Sequence, residues 1–159
     1  MPTLKPSLWF DGDLEEAMDF WTSVFPDSEV HDVQRWGPGG PGVEGSVLAA
    51  GFRVGGLEFT GINGGPDHAG FTETVSFVVE CADQAEIDHY WEALTADGGR
   101  EDRCGWCQDR FGLSWQVIPA DIGALLSTPE AVQAMLGMGK LVIAELEAAS
   151  QAQPVGATS

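Results

Sequence analysis

The sequence predicts an α+β fold in which two βαβββ modules form a curved mixed sheet around a pocket, followed by C-terminal helices. Two observations carry this prediction. Apolar alternation and helical periodicity run twice in the order strand, helix and three strands along the 159 residues. The two halves also match at a fixed offset, which indicates an internal duplication. One such module leaves a sheet face uncovered, whereas two modules can enclose a cavity.

The repeat has an offset of 70 residues and aligns residues in the same strand and helix context. It pairs Asp13 with Asp83, Glu16 with Glu86, Phe20 with Tyr90, Trp21 with Trp91, and Trp36 with Trp106. Chance supplies one or two such matches more readily than five. We therefore expect the helices over 13–25 and 83–97 to occupy equivalent positions.

The first module begins with a strand over 4–10 and a helix over 13–25. Asp13 followed by Glu16 has the spacing of a capping box, so Asp13 is expected to accept from first-turn amides. Apolar residues then recur at helical spacing and form one face. The other strands are predicted over 28–36, 46–54 and 57–62, with Gly- and Pro-rich loops at 37–42 and 63–66.

The second module repeats this order, and a helical segment follows it. Strands are predicted over 72–80, 99–103, 105–109 and 113–119, and helices over 83–97, 121–127, 129–138 and 140–149. Pro129 suits the first turn of its helix. We predict one domain over 1–149, with module one at 3–66, module two at 71–119, C-terminal helices at 120–149, and a disordered tail at 150–159.

Composition narrows the classes of partner. The formal net charge of −18 disfavours nucleic acid and anionic membrane surfaces, because both need Lys and Arg. No stretch reaches the roughly 18 apolar residues of a membrane span, and the N-terminus runs straight into a strand pattern, so no signal peptide is expected. The odd, low cysteine count (Cys81, Cys104, Cys107) fits a reducing cytoplasm.

Several stretches resemble those of a known family. They are LWFDG (8–12), EEAMDFW (15–21), FPDSE (25–29), NGGP (63–66), SFVVEC (76–81), YWEAL (90–94), CGWCQDRFGLSWQVIP (104–119) and AMLGMGKL (134–141). Over about residues 3–149 the chain is similar to PhnB-like proteins of the vicinal oxygen chelate superfamily, which includes glyoxalases, bleomycin-resistance proteins and dioxygenases. These proteins are often labelled 3-demethylubiquinone-9 3-methyltransferase domain proteins. The resemblance implies the fold and a small-molecule cavity.

The resemblance also points to where a metal would bind, on the first and last strands of each module. The matching positions hold Pro6, Glu58, Thr74 or Ser76, and Gln116. One carboxylate and one amide are a poor ligand set for a divalent ion. We therefore predict no metal and no other cofactor. The alternatives are a metal-dependent enzyme of the glyoxalase or dioxygenase type and a non-catalytic drug-binding resistance protein.

The remaining chemistry-bearing residues do not form an evident catalytic set. His31, His68 and His89 fall on a strand, a loop and a helix, and only His68 is expected near a pocket mouth. Cys104 and Cys107 have C-x-x-C spacing, but zinc would need a second ligand pair.

We also expect a homodimer through the apolar helices over 121–149. We expect the ligand to be a small molecule, and we take seven residues as candidates for its pocket. The pocket candidates are Trp9, Glu58, Thr74, Ser76, Cys104, Trp106 and Gln116.

Overall fold

The predicted βαβββ order is present twice in the computed structural model, which describes residues 1–152, and the α+β fold class is confirmed. The chain divides into two compact units at Gly70 and Phe71. The N-terminal unit contains β1 (Ser7–Phe10), α1 (Leu14–Val24), β2 (Glu29–Arg35), β3 (Val47–Val54) and β4 (Leu57–Asn63). The C-terminal unit contains β5 (Ser76–Cys81), α2 (Gln84–Thr95), β6 (Arg100–Glu101), β7 (Trp106–Gln108), β8 (Ser114–Pro119), α3 (Ile122–Leu125), α4 (Pro129–Leu136) and α5 (Ile143–Gln151).

The two modules have the same sheet topology. The strand orders are β1-β4-β3-β2 and β5-β8-β7-β6. In each sheet the first strand runs parallel to the last, and the other neighbours are antiparallel. Because successive strand residues point to opposite faces, each sheet has one face covered by its helix and one opposite face. We call the second the open face.

The core of the N-terminal module lies between α1 and the covered sheet face. Trp21 is almost fully buried and stacks on Phe52, with ring centroids 6.0 Å apart. Phe52 in turn stacks on Phe59 of the neighbouring strand at 5.3 Å. Burying an aromatic side chain of this size contributes roughly 2–3 kcal/mol. This ladder therefore fixes α1 over β3 and β4.

The two helices begin differently, although their sequences share the same capping spacing. Asp83 caps α2 as predicted, since its Oδ1 accepts from the Glu86 amide at 3.0 Å. The prediction for α1 is wrong, because the Asp13 side chain makes no cap hydrogen bond. Asn63, at the end of β4, takes that role: its Oδ1 accepts from the Leu14 amide at 3.2 Å, and its Nδ2 donates to the Val47 carbonyl at 2.8 Å.

The 70-residue repeat holds for the helices but not for every matched pair. The helices begin at Leu14 and Gln84, and Trp21 and Trp91 are both buried. Trp36, however, follows the second strand of its module, whereas Trp106 begins the third. The reason is loop length, because residues 36–46 separate β2 from β3 but only 102–105 separate β6 from β7. The match between these two tryptophans is therefore coincidental.

Some predicted boundaries shift. The strand predicted over 72–80 begins only at Ser76, and before it the hydroxyls of Thr72 and Thr74 bond to each other at 2.7 Å. The helix predicted over 140–149 spans Ile143–Gln151. Two residues of the predicted tail are therefore helical, and residues 153–159 of that tail lie outside the described part of the chain.

The C-terminal helices form an apolar cluster of their own. Leu125, Leu141 and Leu146 are buried at its centre, and Met135 and Met138 pack against them. Pro129 lies in the first turn of α4, as predicted, behind a Thr128 cap. Much of the apolar surface that suggested an interface is thus used within this unit. Over residues 1–152, none of the helices has both the length and the apolar character that crossing a bilayer requires.

Candidate functional site

The open face of the N-terminal module carries two adjoining cavities. The charged cavity has a volume of about 230 Å³, and its lining includes Lys5, His31 and Thr60. The aromatic cavity has a volume of about 390 Å³, and its lining includes Trp9 and Trp36. Ile62 lines both, so the two cavities meet at this strand residue. The module therefore offers a polar and an apolar surface side by side.

His31 is the centre of the charged cavity. Its Nδ1 lies 2.9 Å from Asp32 Oδ2, and its Nε2 lies 3.1 Å from Glu58 Oε2. Lys5 Nζ donates to the same Glu58 oxygen at 3.1 Å. Asp32 and then Glu58 raise the pKa of His31, while Lys5 and then His31 lower the pKa of Glu58. An imidazole held between carboxylates favours its protonated form and can exchange a proton with a neighbouring group.

Two local backbone features place this imidazole on the open face. The pairing of β2 with β3 shifts register after His31, and Asp32 has a φ of +50°. A bulge of this kind re-aims neighbouring side chains. His31 pairs with Gly51 of β3, where a Cβ would lie only 2.6 Å from the ring. Glycine at position 51 therefore lets the ring lie against the sheet.

The charged residues of this cavity do not converge as metal ligands. Asp32 and Glu58 contact different ring nitrogens of His31, which lie on opposite sides of the imidazole. Glu58 also faces the Lys5 ammonium, a cation that competes for the same oxygen. Across residues 1–152, no group of three or more His, Cys, Asp and Glu side chains has the arrangement of a metal site. The donor set suits hydrogen bonding and proton exchange instead.

Trp9 is held at the mouth of the aromatic cavity by the loop that follows β4. Its Nε1 donates to the Gly65 carbonyl at 2.9 Å, and its six-membered ring lies against Gly64, where a Cβ would overlap it. His68 packs edge-on to it with ring centroids 4.4 Å apart. The indole remains 38% exposed. The loop that contains the NGGP stretch thus fixes the Trp9 side chain, and His68 contacts this indole without lining the cavity.

Trp36 is held in a similar way by the other glycine-rich loop. Its indole lies against Gly42, where an added Cβ would overlap the five-membered ring. The Trp36 backbone bonds to Ser46 and Gly45, which closes the loop. Besides the aromatic cavity, this indole lines a third cavity of about 290 Å³ with Asp11 and Glu15. Both Gly- and Pro-rich loops of the module therefore support tryptophans at its open face.

The open face of the C-terminal module brings three predicted candidates together. Gln116 Nε2 donates to Ser76 Oγ at 2.9 Å, and Trp106 lies beside Gln116 across the β7–β8 pair. Ser76 pairs with Ser114 as Ser7 pairs with Thr60. The matching of Gln116 with Glu58 as equivalent positions of the two modules stays a prediction.

Two predicted pocket candidates, Thr74 and Cys104, do not lie on strands. Thr74 is exposed and precedes β5. Cys104 has a φ of +58° in the β6–β7 turn, and its amide donates to the Met138 carbonyl at 2.8 Å. The next amide, that of Gly105, donates to Gly139. The CGW stretch thus anchors the loop between α4 and α5.

The C-x-x-C spacing has a structural explanation. All three cysteines are free, and burial raises the pKa of Cys107 to about 12 and that of Cys81 to about 11. Both thiols are therefore protonated near neutral pH, whereas metal binding and thiol exchange require thiolates. The turn conformation of Cys104 and the burial of Cys107 account for the two positions of the motif.

Asp109 explains the DRFGLSW part of the longest shared stretch. It is only 2% exposed. Its Oδ1 accepts from the amides of Phe111 and Leu113 at 3.0 and 3.1 Å, and its Oδ2 accepts from Trp115 Nε1 at 2.9 Å. This carboxylate closes the turn before β8 and fixes a core tryptophan.

The cluster around His31 was missed by the sequence reasoning, which set all three histidines aside. His31 lies on β2, Glu58 lies on β4, and Lys5 precedes β1, so their approach depends on the sheet order β1-β4-β3-β2. One signal was available. Gly51 interrupts a mostly apolar strand, and an isolated glycine in a strand indicates a bulge or a close approach by another group.

The comparisons with known proteins agree with the fold. A family model described as 3-demethylubiquinone-9 3-methyltransferase matches residues 2–118. A putative 3-demethylubiquinone-9 3-methyltransferase, PhnB protein, from Bacillus cereus is 34% identical, with a TM-score of 0.67 over 74% of this chain and 99% of that one. Protein PA1353 from Pseudomonas aeruginosa is 18% identical, with a TM-score of 0.55 over 74% of this chain and 98% of its own.

A more distant likeness is to the fosfomycin resistance protein FosX from Listeria monocytogenes, in a complex with Mn(II) and 1S,2S-dihydroxypropylphosphonic acid. It is 16% identical, with a TM-score of 0.53 over 80% of this chain and all of that one. At this identity the likeness supports the fold alone. No curated protein matches significantly. The βαβββ repeat, the family match over most of the chain and the Bacillus cereus relative together establish that this chain belongs to the 3-demethylubiquinone-9 3-methyltransferase family, in its PhnB-like group.

Proposed function

We propose that the protein binds a small organic molecule on the open face of its N-terminal module. The observation that carries this proposal is the meeting of the charged and aromatic cavities at Ile62. Small-molecule sites in proteins combine apolar walls with a few placed polar groups. Here Trp9 and Trp36 supply the walls, and Lys5 and His31 supply the polar groups.

The bound molecule would place its apolar part against the two indoles and a polar part toward Lys5, His31 and Thr60. The charged cavity is balanced by its own carboxylates, because Glu58 pairs with both Lys5 and His31. A ligand group that accepts a hydrogen bond or exchanges a proton suits it better than a strongly charged group. We propose binding as the primary activity, and turnover would use His31 for proton transfer.

We propose that this activity needs no transition metal. The arrangement of His31, Asp32 and Glu58 supports this, because each carboxylate meets a different ring nitrogen. Elemental analysis of protein purified without added metal should give well under one Zn, Fe, Mn or Ni per chain. A stoichiometric metal that is lost in Glu58→Gln would contradict the proposal and favour a metal-dependent enzyme of the glyoxalase or dioxygenase type.

The three free cysteines suit a reducing compartment, and we propose that the protein is located in the cytoplasm.

A pair of matched variants tests where binding occurs. Ile62→Glu puts a carboxylate where the cavities meet, whereas Leu57→Glu makes the same change on the same strand at a residue that lines none of the three cavities described above. Both residues are partly exposed, at 37% and 46%, so neither change disrupts the core. The two variants therefore differ in their distance from the cavities and not in charge.

Native mass spectrometry of freshly purified protein gives the measurement. We expect a small-molecule adduct in the wild type that persists in Leu57→Glu and is lost in Ile62→Glu. Where no ligand co-purifies, the same comparison is made with compounds that quench tryptophan fluorescence. A ligand that binds Ile62→Glu as tightly as the wild type would place the site elsewhere and refute the proposal.

A further inference from the structure

We propose that the aromatic cavity recognises a cation, and specifically an alkylated ammonium group held against the indoles of Trp9 and Trp36. This inference rests on the proposed function and names the class of ligand that the same site would take. It follows from three features of the N-terminal module: two fixed aromatic walls, a surplus of negative charge, and a lining in which the Trp9 N–H and the Asn63 amide are already bonded.

The aromatic walls are fixed before any ligand arrives. Gly64 and Gly65 hold Trp9, and Gly42 lies directly against the Trp36 indole. A ring that is already in place costs little conformational entropy when a ligand binds. The face of an indole carries negative charge from its π system and attracts cations more strongly than the rings of Tyr or Phe. Two such rings in one cavity favour a cationic group.

The negative charge of the module also favours a cationic ligand. Residues 1–70 contain eleven Asp and Glu but only three Lys and Arg. Each of those three basic side chains is in an ion pair, Lys5 with Glu58, Arg35 with Glu15, and Arg53 with Asp27. The unpaired surplus is therefore negative. This field draws cations toward the module and opposes anions.

Two carboxylates line the neighbouring cavity, which shares Trp36 with the aromatic cavity. Glu15 is neutralised by Arg35, which donates to both of its oxygens. Asp11 lines the same cavity and has no ion-pair partner within residues 1–152. Over that described range, no Lys or Arg lines either cavity. Asp11 is therefore a carboxylate without an ion-pair partner that shares a cavity with Trp36 and can attract a cation to it.

The lining selects an alkylated ammonium over a primary one. A primary ammonium brings three N–H donors that need acceptors when they leave water. Here the Trp9 N–H is bonded to Gly65, and both ends of the Asn63 amide are bonded within the module. Leu48 and Ile62 complete the lining with aliphatic surface. An ammonium whose hydrogens are replaced by methyl groups needs no acceptors and suits these walls.

Two probes of equal shape isolate the effect of charge. Choline carries a trimethylammonium group, and 3,3-dimethylbutan-1-ol replaces its nitrogen with carbon and is neutral. Binding of each is followed by tryptophan fluorescence and by ligand-observed NMR. We expect the wild-type protein to bind choline at least about tenfold more tightly than the neutral alcohol.

Variants then assign the effect to the named residues. Trp36→Leu and Trp9→Leu should each reduce the preference for choline to about threefold or less, because they remove a π face but keep apolar surface. Asp11→Asn should weaken choline about two- to threefold and leave the alcohol unchanged. Asp19→Asn makes the same substitution at an exposed residue of α1 that lines none of the three cavities, and it should have no effect. Near-UV circular dichroism establishes that each variant is folded.

The outcomes separate this inference from the proposed function. A wild-type protein that binds the alcohol as tightly as choline overturns the cation inference but leaves small-molecule binding at this site intact. A preference for choline that survives both tryptophan substitutions also overturns it. If neither probe binds, and ligands that co-purify are unaffected by Ile62→Glu, both proposals fail.

Discussion

Asp109 offers the sharpest test of what holds the C-terminal module together. Its carboxylate is buried and accepts three hydrogen bonds, two of them from the buried donors Leu113 N and Trp115 Nε1. Asp109→Ala leaves both of these donors without an acceptor, and each buried unsatisfied donor costs about 1–3 kcal/mol. We expect the free energy of unfolding to fall by about 4 kcal/mol, a large share of the roughly 5–15 kcal/mol typical of a domain.

A second substitution at the same position separates the bonds. Asp109→Asn keeps an acceptor for the two backbone amides but points an amide donor at Trp115 Nε1. One hydrogen bond is then lost, and we expect a cost of about 1–3 kcal/mol. A double-mutant cycle with Trp115→Phe measures that bond directly, with an expected coupling free energy of about 1–2 kcal/mol.

Urea denaturation followed by near-UV circular dichroism is the assay. With a slope of about 2 kcal/mol per molar urea, Asp109→Ala should lower the unfolding midpoint by about 2 M. Asp121→Ala is the control, because Asp121 is exposed and its side chain makes no cap hydrogen bond, so its effect should stay within about 0.5 kcal/mol. Equal effects of the two alanine substitutions would refute the role assigned to Asp109.

Three further predictions follow from other contacts. Asn63→Ala should destabilise the protein by about 1–3 kcal/mol, as measured by urea denaturation, while Asp13→Ala should change little, since only Asn63 caps α1. In an NMR pH titration the His31 pKa should lie above its ordinary 6.5 and fall in Glu58→Gln. The stability contributed by protonated His31 is present below pH 6.5 and lost as pH rises through the raised pKa. A His31 pKa at or below 6.5 would contradict the ion pairs of His31 with Asp32 and Glu58. Light scattering should give the mass of a homodimer, and Leu136→Glu, at a half-exposed residue of α4, should weaken it; a single-chain mass at high protein concentration would exclude the dimer.

The helices and most strands were predictable because their signals are local. Period-3.6 and period-2 patterns placed α1, α2 and the strands β2, β3, β4 and β8 within a few residues of their observed positions. The Asp83 cap was also predictable, because donor and acceptor are only three residues apart. The shortest strands were the least accurate, since β6 has two residues and leaves no room for an alternating pattern.

The candidate site was only partly predictable. Trp9 and Glu58 were selected from the sequence and lie at or beside the cavities of the N-terminal module. His31 was set aside, because nothing local marks a strand histidine as the partner of a carboxylate on another strand. Trp36 was not among the selected candidates. Its place at the open face depends on the glycine loop that supports it.

By itself, the sequence determined the fold class, the duplication and the helix faces, because all of these are written in residue spacing over short distances. Only the tertiary structure decided which distant residues meet. Asn63 caps a helix 49 residues away, and His31 reaches Glu58 across 27 residues. Such contacts depend on sheet register, on the bulge at Asp32 and on loop length. A one-residue slip in register would send each side chain of a strand to the other face. Periodicity carries no information about register, so the chemistry of the open face emerges only once the strands are paired.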